Sequence, residues 1–274
     1  MFEEILARVG EQEPTVHCIT NFVTVNDCAN IILACGGKPT MAHHVGEVAE
    51  ITAGSRALVL NMGTLHDMES MLIAGHKSNE LGHPVILDPV GVGGSTLRKE
   101  TFRTLSETIR FSVIRGNMSE IKAIATGSET AIGVDVAEAD RITEENVYEA
   151  ARMAQDVAAR FSCIVAVSGP IDIVAEAGRA CLVRNGHPIM ARITGSGCMS
   201  TALLGAFLGG NPDRPFEAAV AAVAAMGVCG ELAYQKTEAE GGGTLTFRTH
   251  LIDKISLLKA EQLERYARLE YVTR

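Results

Sequence analysis

A run of small residues, Thr194-Gly195-Ser196-Gly197-Cys198, stands immediately before an apolar segment with helical character, Met199–Leu208. Small residues at a helix start leave backbone N–H groups exposed, and these donors together with the positive end of the helix dipole can bind an anion. Cys198 is predicted in the first turn, a position that lowers a thiol pKa and favours the thiolate. Such a thiolate could accept a proton from a substrate hydroxyl while the neighbouring amides stabilise a transferring phosphoryl group. A buried structural cysteine beside a glycine-rich turn is the alternative interpretation.

Two carboxylates form the second feature. In the segment Arg115-Gly116-Asn117-Met118-Ser119-Glu120, a predicted strand passes into a helix. Glu120 could hold Mg²⁺ there, and Arg115 could pair with phosphate oxygens, but Asn-x-x-Glu is also a helix-capping pattern. Asp88 follows an apolar strand and is either a second Mg²⁺ ligand or a turn former. No Gly-x-x-x-x-Gly-Lys-Ser/Thr motif occurs, so Walker-type phosphate binding is excluded.

Short apolar runs alternate with helical patterns along the chain. The runs lack polar alternation, as expected when helices cover both faces of a sheet. The predicted strands are Val16–Ile19, Ala57–Leu60, Val85–Leu87, Val113–Ile114 and Ile164–Val167. The predicted helices are Asn26–Cys35, Glu47–Ala53, His66–Leu81, Thr96–Thr108, Glu144–Arg160, Ser200–Leu208, Phe216–Tyr234 and Ile252–Leu269. This rhythm predicts a single α/β domain over residues 1–274, with a mostly parallel, doubly wound sheet and an antiparallel edge hairpin at Ile173–Val174 and Cys181–Val183.

Each predicted parallel strand ends in small or polar residues. The segments concerned are Thr20-Asn21, Asn61–Thr64, Asp88–Gly91, Arg115–Asn117 and Ser168-Gly169. Loops often contain such residues, but ligands of open parallel sheets bind outside the carboxyl ends of the strands. We therefore expect a site at this edge.

The amino-acid composition argues against some classes of binding partner and cellular setting. A net charge of -9, 4% aromatic residues and no Trp argue against nucleic acid. The seven cysteines include no Cys-x-x-Cys pair and predict a reducing, cytoplasmic setting. The apolar run Ala218–Gly230 is shorter than the ~18 residues of a membrane span, so a buried core helix is expected there. His43 and His44 are predicted to be surface-loop residues.

Taken together, these motifs resemble the hydroxyethylthiazole kinase family of the ribokinase-like superfamily. The resemblance extends from about residue 14 to residue 258. It rests on the Thr194–Cys198 and Arg115–Glu120 segments described above, and on Leu87–Val90, Asn61-x-Gly63-Thr64, Thr20-Asn21-x-Val23-Thr24 and Gly241–Thr244. The early Thr-Asn segment discriminates, because the related hydroxymethylpyrimidine kinases open with a Gly-Ser-Asp-rich loop instead.

The resemblance implies that ATP and Mg²⁺ are used to phosphorylate the hydroxyl of 4-methyl-5-(2-hydroxyethyl)thiazole, a thiamine salvage step. It also implies a homotrimer with active sites at the subunit interfaces. The implied roles are Cys198 as base; Gly195, Ser196 and Gly197 as anion hole; Asp88 and Glu120 for Mg²⁺; Arg115, Asn117 and Ser168 for ATP; and Met41, Asn21, Val23, Gly63 and Gly195 for the thiazole. Met62 is a further apolar candidate for that pocket.

Two positions depart from the family pattern, since Ser196 replaces a usual Thr and Gly242 stands where Pro is common. A kinase of the same fold for another small alcohol, such as hydroxymethylpyrimidine or a sugar, is the first alternative, and Thr20-Asn21 disfavours it. An ATP-dependent dehydratase of hydrated nicotinamide nucleotides is the second alternative, but that activity favours Asp where Cys198 stands. A catalytically inactive binding protein is the third, and it would be expected to lack Asp88, Glu120 or Cys198.

Overall fold

One mixed sheet organises the molecule. The computed structural model describes residues 1–127 and 140–273, and within them nine strands pair in the order β2-β1-β3-β4-β5-β6-β7-β8-β9. The strands are β1 (Thr15–Ile19), β2 (Lys38–Thr40), β3 (Ala57–Asn61), β4 (Val85–Asp88), β5 (Val113–Asn117), β6 (Ile164–Ser168), β7 (Asp172–Glu176), β8 (Arg179–Val183) and β9 (Leu269–Thr273). All pairs from β2 to β6 are parallel, and β7, β8 and β9 continue the sheet antiparallel. The predicted α/β fold with a mostly parallel sheet is confirmed.

Helices cover both faces of this sheet. They are α1 (Phe2–Gln12), α2 (Val25–Ala34), α3 (Val48–Ala53), α4 (Met68–Leu81), α5 (Thr96–Thr108), α6 (Met118–Thr126), α7 (Val147–Phe161), α8 (Ser196–Gly210), α9 (Pro215–Ala239), α10 (Thr244–Ser256) and α11 (Ala260–Tyr266). Buried residues of α1, α2, α8, α9 and α10 form one core layer, and those of α4 to α7 form the other. Within β3, Val59 belongs to the first layer and Leu58 and Leu60 to the second, which explains why the strand is apolar throughout.

Helix α9 is longer than predicted and has 25 residues. Among the described residues, it is the helix whose length and composition would suffice to cross a membrane, and 83% of its most apolar window is buried inside the protein. This burial agrees with the core helix expected from the sequence.

The end of the chain differs from the prediction. A single helix over Ile252–Leu269 is wrong, because α10 ends at Ser256, α11 covers Ala260–Tyr266 and the chain then forms β9. The β7–β8 hairpin is present, but it is not the edge of the sheet, since β9 pairs along the outer side of β8. The short strand β2, which the sequence did not predict, forms the opposite edge.

Candidate active site

Helix α8 begins at Ser196, so Cys198 lies in its first turn as predicted. Gly195 precedes the helix with φ 86°, a left-handed conformation that favours glycine. A Cβ added at Gly195 would stand 2.7 Å from Cγ2 of Thr24. The loop after β1 therefore packs directly against the start of α8, and a larger residue at position 195 would separate them.

The Cys198 sulfur is held by two side-chain amides. Nδ2 of Asn21 lies 3.4 Å and Nδ2 of Asn61 lies 3.3 Å from Sγ, and both can donate to it. Asn21 follows β1 and Asn61 ends β3, so the sulfur sits at the carboxyl edge of two adjacent strands. The ends of β1 and β3 and the glycine-rich segment at the start of α8 thus meet at one place.

Both amides have fixed orientations. Oδ1 of Asn21 accepts hydrogen bonds from the backbone N–H and the hydroxyl of Thr24, each at 3.2 Å. Oδ1 of Asn61 accepts from the N–H of Gly63 at 2.9 Å and from Nδ2 of Asn21 at 3.2 Å. With their oxygens occupied in this way, the two side chains direct N–H donors toward Cys198, where they favour the thiolate form.

Asp88 lies beneath this pair and is 2% exposed. Its Oδ2 accepts from the hydroxyl of Thr201 at 2.7 Å and from Nδ2 of Asn61 at 3.2 Å. Nη1 of Arg115 is 4.0 Å from the same oxygen. Asn61 thus touches both Cys198 and Asp88, and it is a site residue to which the sequence analysis assigned no role.

Glu120 forms the capping pattern that the sequence analysis left open. Its Oε2 accepts from the N–H of Asn117 at 2.8 Å, while Oδ1 of Asn117 accepts from the N–H of Glu120 at 2.9 Å. Oε1 of Glu120 accepts from the N–H of Gly91 at 2.8 Å and thereby fixes the loop after β4. Burial, followed by repulsion from Asp88, raises the pKa of Glu120 to about 7. The charge of Asp88 therefore acts on Glu120.

The predicted lowering of the Cys198 pKa is wrong. Burial, followed by the negative charge of Asp88, raises the pKa of this thiol, and hydrogen bonds from Thr24, Asn21 and Asn61 offset only part of the rise. Burial also raises the pKa of Asp88, against the opposing effect of Arg115. The helix-start argument omitted the cost of removing the sulfur from water.

Arg115 lies against the start of α8. A Cβ at Gly197 would stand 2.7 Å from Nη1 of Arg115, so a larger residue would force the guanidinium to move from this position. On the neighbouring strand, Ser168 pairs with Asn117 in the register of β5 and β6, which places the predicted ATP-binding residues on adjoining strand ends. Asp172, the first residue of β7, also interacts with Arg115. Burial raises the pKa of Asp172 to about 7, although the positive charge of Arg115 lowers it in part.

Apart from Gly195 at the start of α8, the predicted acceptor residues occupy three loops, which follow β1, β2 and β3. Met41 is partly buried against the core, and Val23 is 74% exposed. At Gly63 an added Cβ would stand 2.7 Å from Oδ1 of Asn61, so this loop touches the amide pair. Met62 is fully buried, and its assignment to an open pocket is wrong.

Asp88 and Glu120 fit a Mg²⁺ ion in their chemistry. Mg²⁺ in kinases uses one or two carboxylates together with phosphates and water. Both hydrogen bonds of Asp88 fall on Oδ2, and each Glu120 oxygen accepts one backbone N–H, which leaves lone pairs on both side chains. Within residues 1–127 and 140–273, no group of three or more His, Cys, Asp or Glu side chains could hold a metal. An all-protein cage is therefore absent from that part of the chain.

A separate cavity of about 680 Å³ opens at the opposite edge of the sheet. Pro84, Phe111 and Cys163, which stand before β4, β5 and β6, help to line it. Glu176 is the charged residue in its lining. None of the predicted site residues is among those that line this cavity.

Comparison with known proteins agrees with this geometry. The sequence model of the hydroxyethylthiazole kinase family matches residues 6–261. The chain belongs to this family. Hydroxyethylthiazole kinase of Desulfovibrio desulfuricans is 49% identical over 267 residues, covering 94% of each chain. The enzyme of Clostridium acetobutylicum is 46% identical over 272 residues, covering 98% of this chain and 99% of its own.

Solved structures extend the comparison to the fold. The hydroxyethylthiazole kinase protein of Pyrococcus horikoshii OT3 has a TM-score of 0.87 and 35% identity, and the match covers 99% of this chain and 98% of that one. A pyridoxal kinase of Staphylococcus aureus in complex with ADP shares the fold with a TM-score of 0.56 at 15% identity. The chain is thus a kinase-family enzyme with a ribokinase-like fold.

The structure gives one departure from the family pattern a local reason. At Gly242, an added Cβ would stand 2.6 Å from Cγ2 of Thr246. The Thr246 side chain occupies the space that a larger residue at position 242 would need. Glycine at position 242 therefore avoids a steric clash with Thr246.

Proposed function

We propose that the protein transfers the γ-phosphoryl group of ATP to the hydroxyl of 4-methyl-5-(2-hydroxyethyl)thiazole, a reaction of thiamine salvage in the cytoplasm. One observation carries the proposal: Cys198 in the first turn of α8 faces Asn21 and Asn61 at 3.3–3.4 Å, at the strand edge that holds Asp88 and Arg115. A proton acceptor and a site for phosphoryl charge then lie side by side. Family membership supports the substrate.

Cys198 would act as the base. As its thiolate, Sγ takes the proton of the substrate hydroxyl, and the alcohol oxygen forms a bond to the γ-phosphorus while the bond from that phosphorus to the ADP oxygen breaks. The proton then passes from the thiol to solvent. The N–H donors of Asn21 and Asn61 hold the sulfur in place and stabilise its charged form.

The start of α8 would stabilise the transferring group. The backbone N–H groups of Gly195, Ser196 and Gly197 stand at a helix N-terminus, where donors and dipole favour negative charge. The Arg115 guanidinium, packed on Gly197, adds a fixed positive charge beside them. Asn117 and Ser168 extend the nucleotide side of the site along β5 and β6.

Asp88 and Glu120 would hold the Mg²⁺ that accompanies ATP. A bound Mg²⁺ neutralises part of the phosphate charge. Without the metal, the positive charge of Arg115 offsets part of the rise that burial causes in the pKa of each carboxylate.

The acceptor pocket would be formed by Met41, Asn21, Val23, Gly63 and Gly195. A flat, uncharged thiazole needs an apolar site with few polar groups, and a flexible methionine suits a sulfur heterocycle. Phe22 and Val23 are 79% and 74% exposed. A homotrimer with active sites at its interfaces would cover them, and we include this assembly in the proposal.

A substrate panel tests the function. ADP release is measured with the thiazole alcohol, hydroxymethylpyrimidine and ribose, and repair of hydrated NADH is followed separately. We expect kcat/KM for the thiazole alcohol to exceed the others by about two orders of magnitude, or about 2.7 kcal/mol of transition-state free energy. Similar values for all three alcohols, or a faster reaction with hydrated NADH, would refute the assignment.

A further inference from the structure

A polar contact joins two of the loops assigned to the acceptor pocket. Nδ1 of His43 lies 3.0 Å from Oδ2 of Asp67, with the side chains 25% and 19% exposed. The hydroxyl of Thr64 donates to the same carboxylate oxygen at 2.6 Å. We call the contact between His43 and Asp67 the His43–Asp67 latch. It ties the loop that follows β2 to the loop that follows β3.

Side-chain hydrogen bonds hold two successive backbone carbonyls next to the latch, those of Ala42 and His43. Nε2 of the buried His17 donates to the carbonyl of Ala42 at 2.9 Å, and the hydroxyl of Ser70 donates to the carbonyl of His43 at 2.6 Å. On its other side, Nδ1 of His17 accepts from the hydroxyl of Thr52 at 2.9 Å. Hydrogen bonds thus hold the buried side of the loop next to Met41, and the latch joins its outer side to the loop that follows β3.

Asp67 makes this contact instead of capping its own helix. It occupies the N-cap position of α4, where an aspartate side chain usually accepts a hydrogen bond from the first turn. Here the side chain makes no cap hydrogen bond, because its carboxylate is turned toward His43 and Thr64. The Asp67 side chain therefore does not stabilise the start of α4, and it joins two loops instead.

The third acceptor loop meets the same histidine. The Phe22 ring stacks on His43, with ring centroids 6.4 Å apart and planes inclined by 18°. Phe22 lies between Asn21 and Val23 in the chain. The loops that carry Asn21, Met41 and Gly63 therefore converge on the His43 side chain.

We propose that the His43–Asp67 latch positions the acceptor side of the active site and so limits which alcohols it takes. This inference rests on the proposed function. The latch contacts neither Cys198 nor Arg115, so it should act on the acceptor and leave the nucleotide side unchanged. The acceptors favoured by a closed latch are small, flat and uncharged alcohols, and an open latch admits bulkier ones.

Asp67→Ser is the informative variant. Serine can cap α4 but is too short to hold both His43 and Thr64, so the fold is retained while the latch opens. We expect KM for the thiazole alcohol to rise about tenfold, since a charge-assisted hydrogen bond is lost, with KM for ATP unchanged. Amide hydrogen exchange should accelerate within residues 41–47. Asp213→Asn, which breaks the remote exposed pair with Arg8, is the matched control and should change none of these.

A double-mutant cycle checks that the two residues act as one unit. His43→Asn and Asp67→Ser should each raise the acceptor KM, and the double variant should be no worse than the worse single variant. If the wild-type enzyme phosphorylates the thiazole alcohol but Asp67→Ser leaves acceptor KM and loop exchange unchanged, the latch has no positioning role. If the wild-type enzyme does not use this alcohol, the proposed function fails. Loop exchange then still decides the latch: faster exchange in Asp67→Ser supports it, and unchanged exchange overturns it.

Discussion

The rate of phosphoryl transfer should rise steeply with pH, because Cys198 must lose its proton before it can act as a base. Burial and the charge of Asp88 raise the pKa of this thiol above its ordinary value. Since even an unperturbed thiol has a pKa above neutrality, most of this thiol stays protonated at pH 7. Below that pKa, kcat should gain about tenfold per pH unit.

Two substitutions test whether Cys198 or another group acts as the general base. Cys198→Ala should lose ~10²–10⁴-fold in kcat, the usual contribution of a general base. Cys198→Asp should keep substantial activity and lose most of the slope above pH 7, since a carboxyl at this position titrates at lower pH than the thiol does. Glu120, whose pKa is raised to about 7 in the absence of metal, must be deprotonated to bind Mg²⁺, so a rise in rate near pH 7 is expected in both active enzymes at limiting Mg²⁺, and saturating Mg²⁺ should suppress it.

The measurement is ADP release at saturating ATP, Mg²⁺ and thiazole alcohol between pH 6 and pH 10. Thermal unfolding at each pH confirms that the protein stays folded over the range. The argument is refuted if Cys198→Ala has wild-type turnover, or if Cys198→Asp keeps the full alkaline slope. Either result would assign the proton transfer to another group or to water.

Three further perturbations address the metal, the nucleotide and the acceptor, and one measurement addresses assembly. Asp88→Asn should raise the Mg²⁺ concentration for half-maximal activity about tenfold or more, because an anionic oxygen is lost; an unchanged metal titration would contradict its role. Gly197→Ala places a Cβ where Nη1 of Arg115 lies and should raise KM for ATP about tenfold with little effect on the acceptor KM. Met41→Asp should abolish use of the thiazole alcohol while calorimetry shows ATP binding nearly intact, because an unpaired carboxylate would be buried beside an apolar ring. Light scattering should give a mass near three subunits, and a stable active monomer at micromolar concentration would disprove the trimer.

Local sequence patterns were sufficient to place the start of α8. The run of small residues precedes the helix, and Cys198 falls in the first turn as expected. The apolar runs of the parallel strands were equally informative, because burial on both faces removes polar residues from the pattern. These features depend on residues close together in the chain.

Features that depend on distant partners were not predictable in this way. Asn61 holds Cys198 and Asp88 together, yet the motif in which it stands, Asn61-x-Gly63-Thr64, does not show which distant side chains it contacts. The direction of the Cys198 pKa depends on burial by segments far along the chain. At Glu120 the sequence allowed either a cap or a ligand, and the structure shows the cap while leaving lone pairs for a metal.

The strands at the two edges of the sheet, β2 and β9, were not predicted, for a similar reason. β2 has three residues, one of which is Pro39, and its strand character comes from pairing with β1. β9 exists because residues 269–273 pair with β8, whereas their local pattern is compatible with the end of an amphipathic helix. Short segments of this kind take their conformation from the neighbouring strand.

The distance along the chain between Asn21 and Cys198, 177 residues, has a consequence for how activity is acquired during folding. Helix α8 follows β8 in the chain, yet it packs against β1, β3 and β4. The reactive sulfur therefore meets its amide donors only after a late segment has returned to the earliest strands, and such long-range closure is slow. A nascent chain released before α8 could complete all six parallel strands, β1 to β6, and still be inactive. Two fragments divided at the exposed turn around Gly178 should regain turnover only on mixing, at a rate that depends on their concentration.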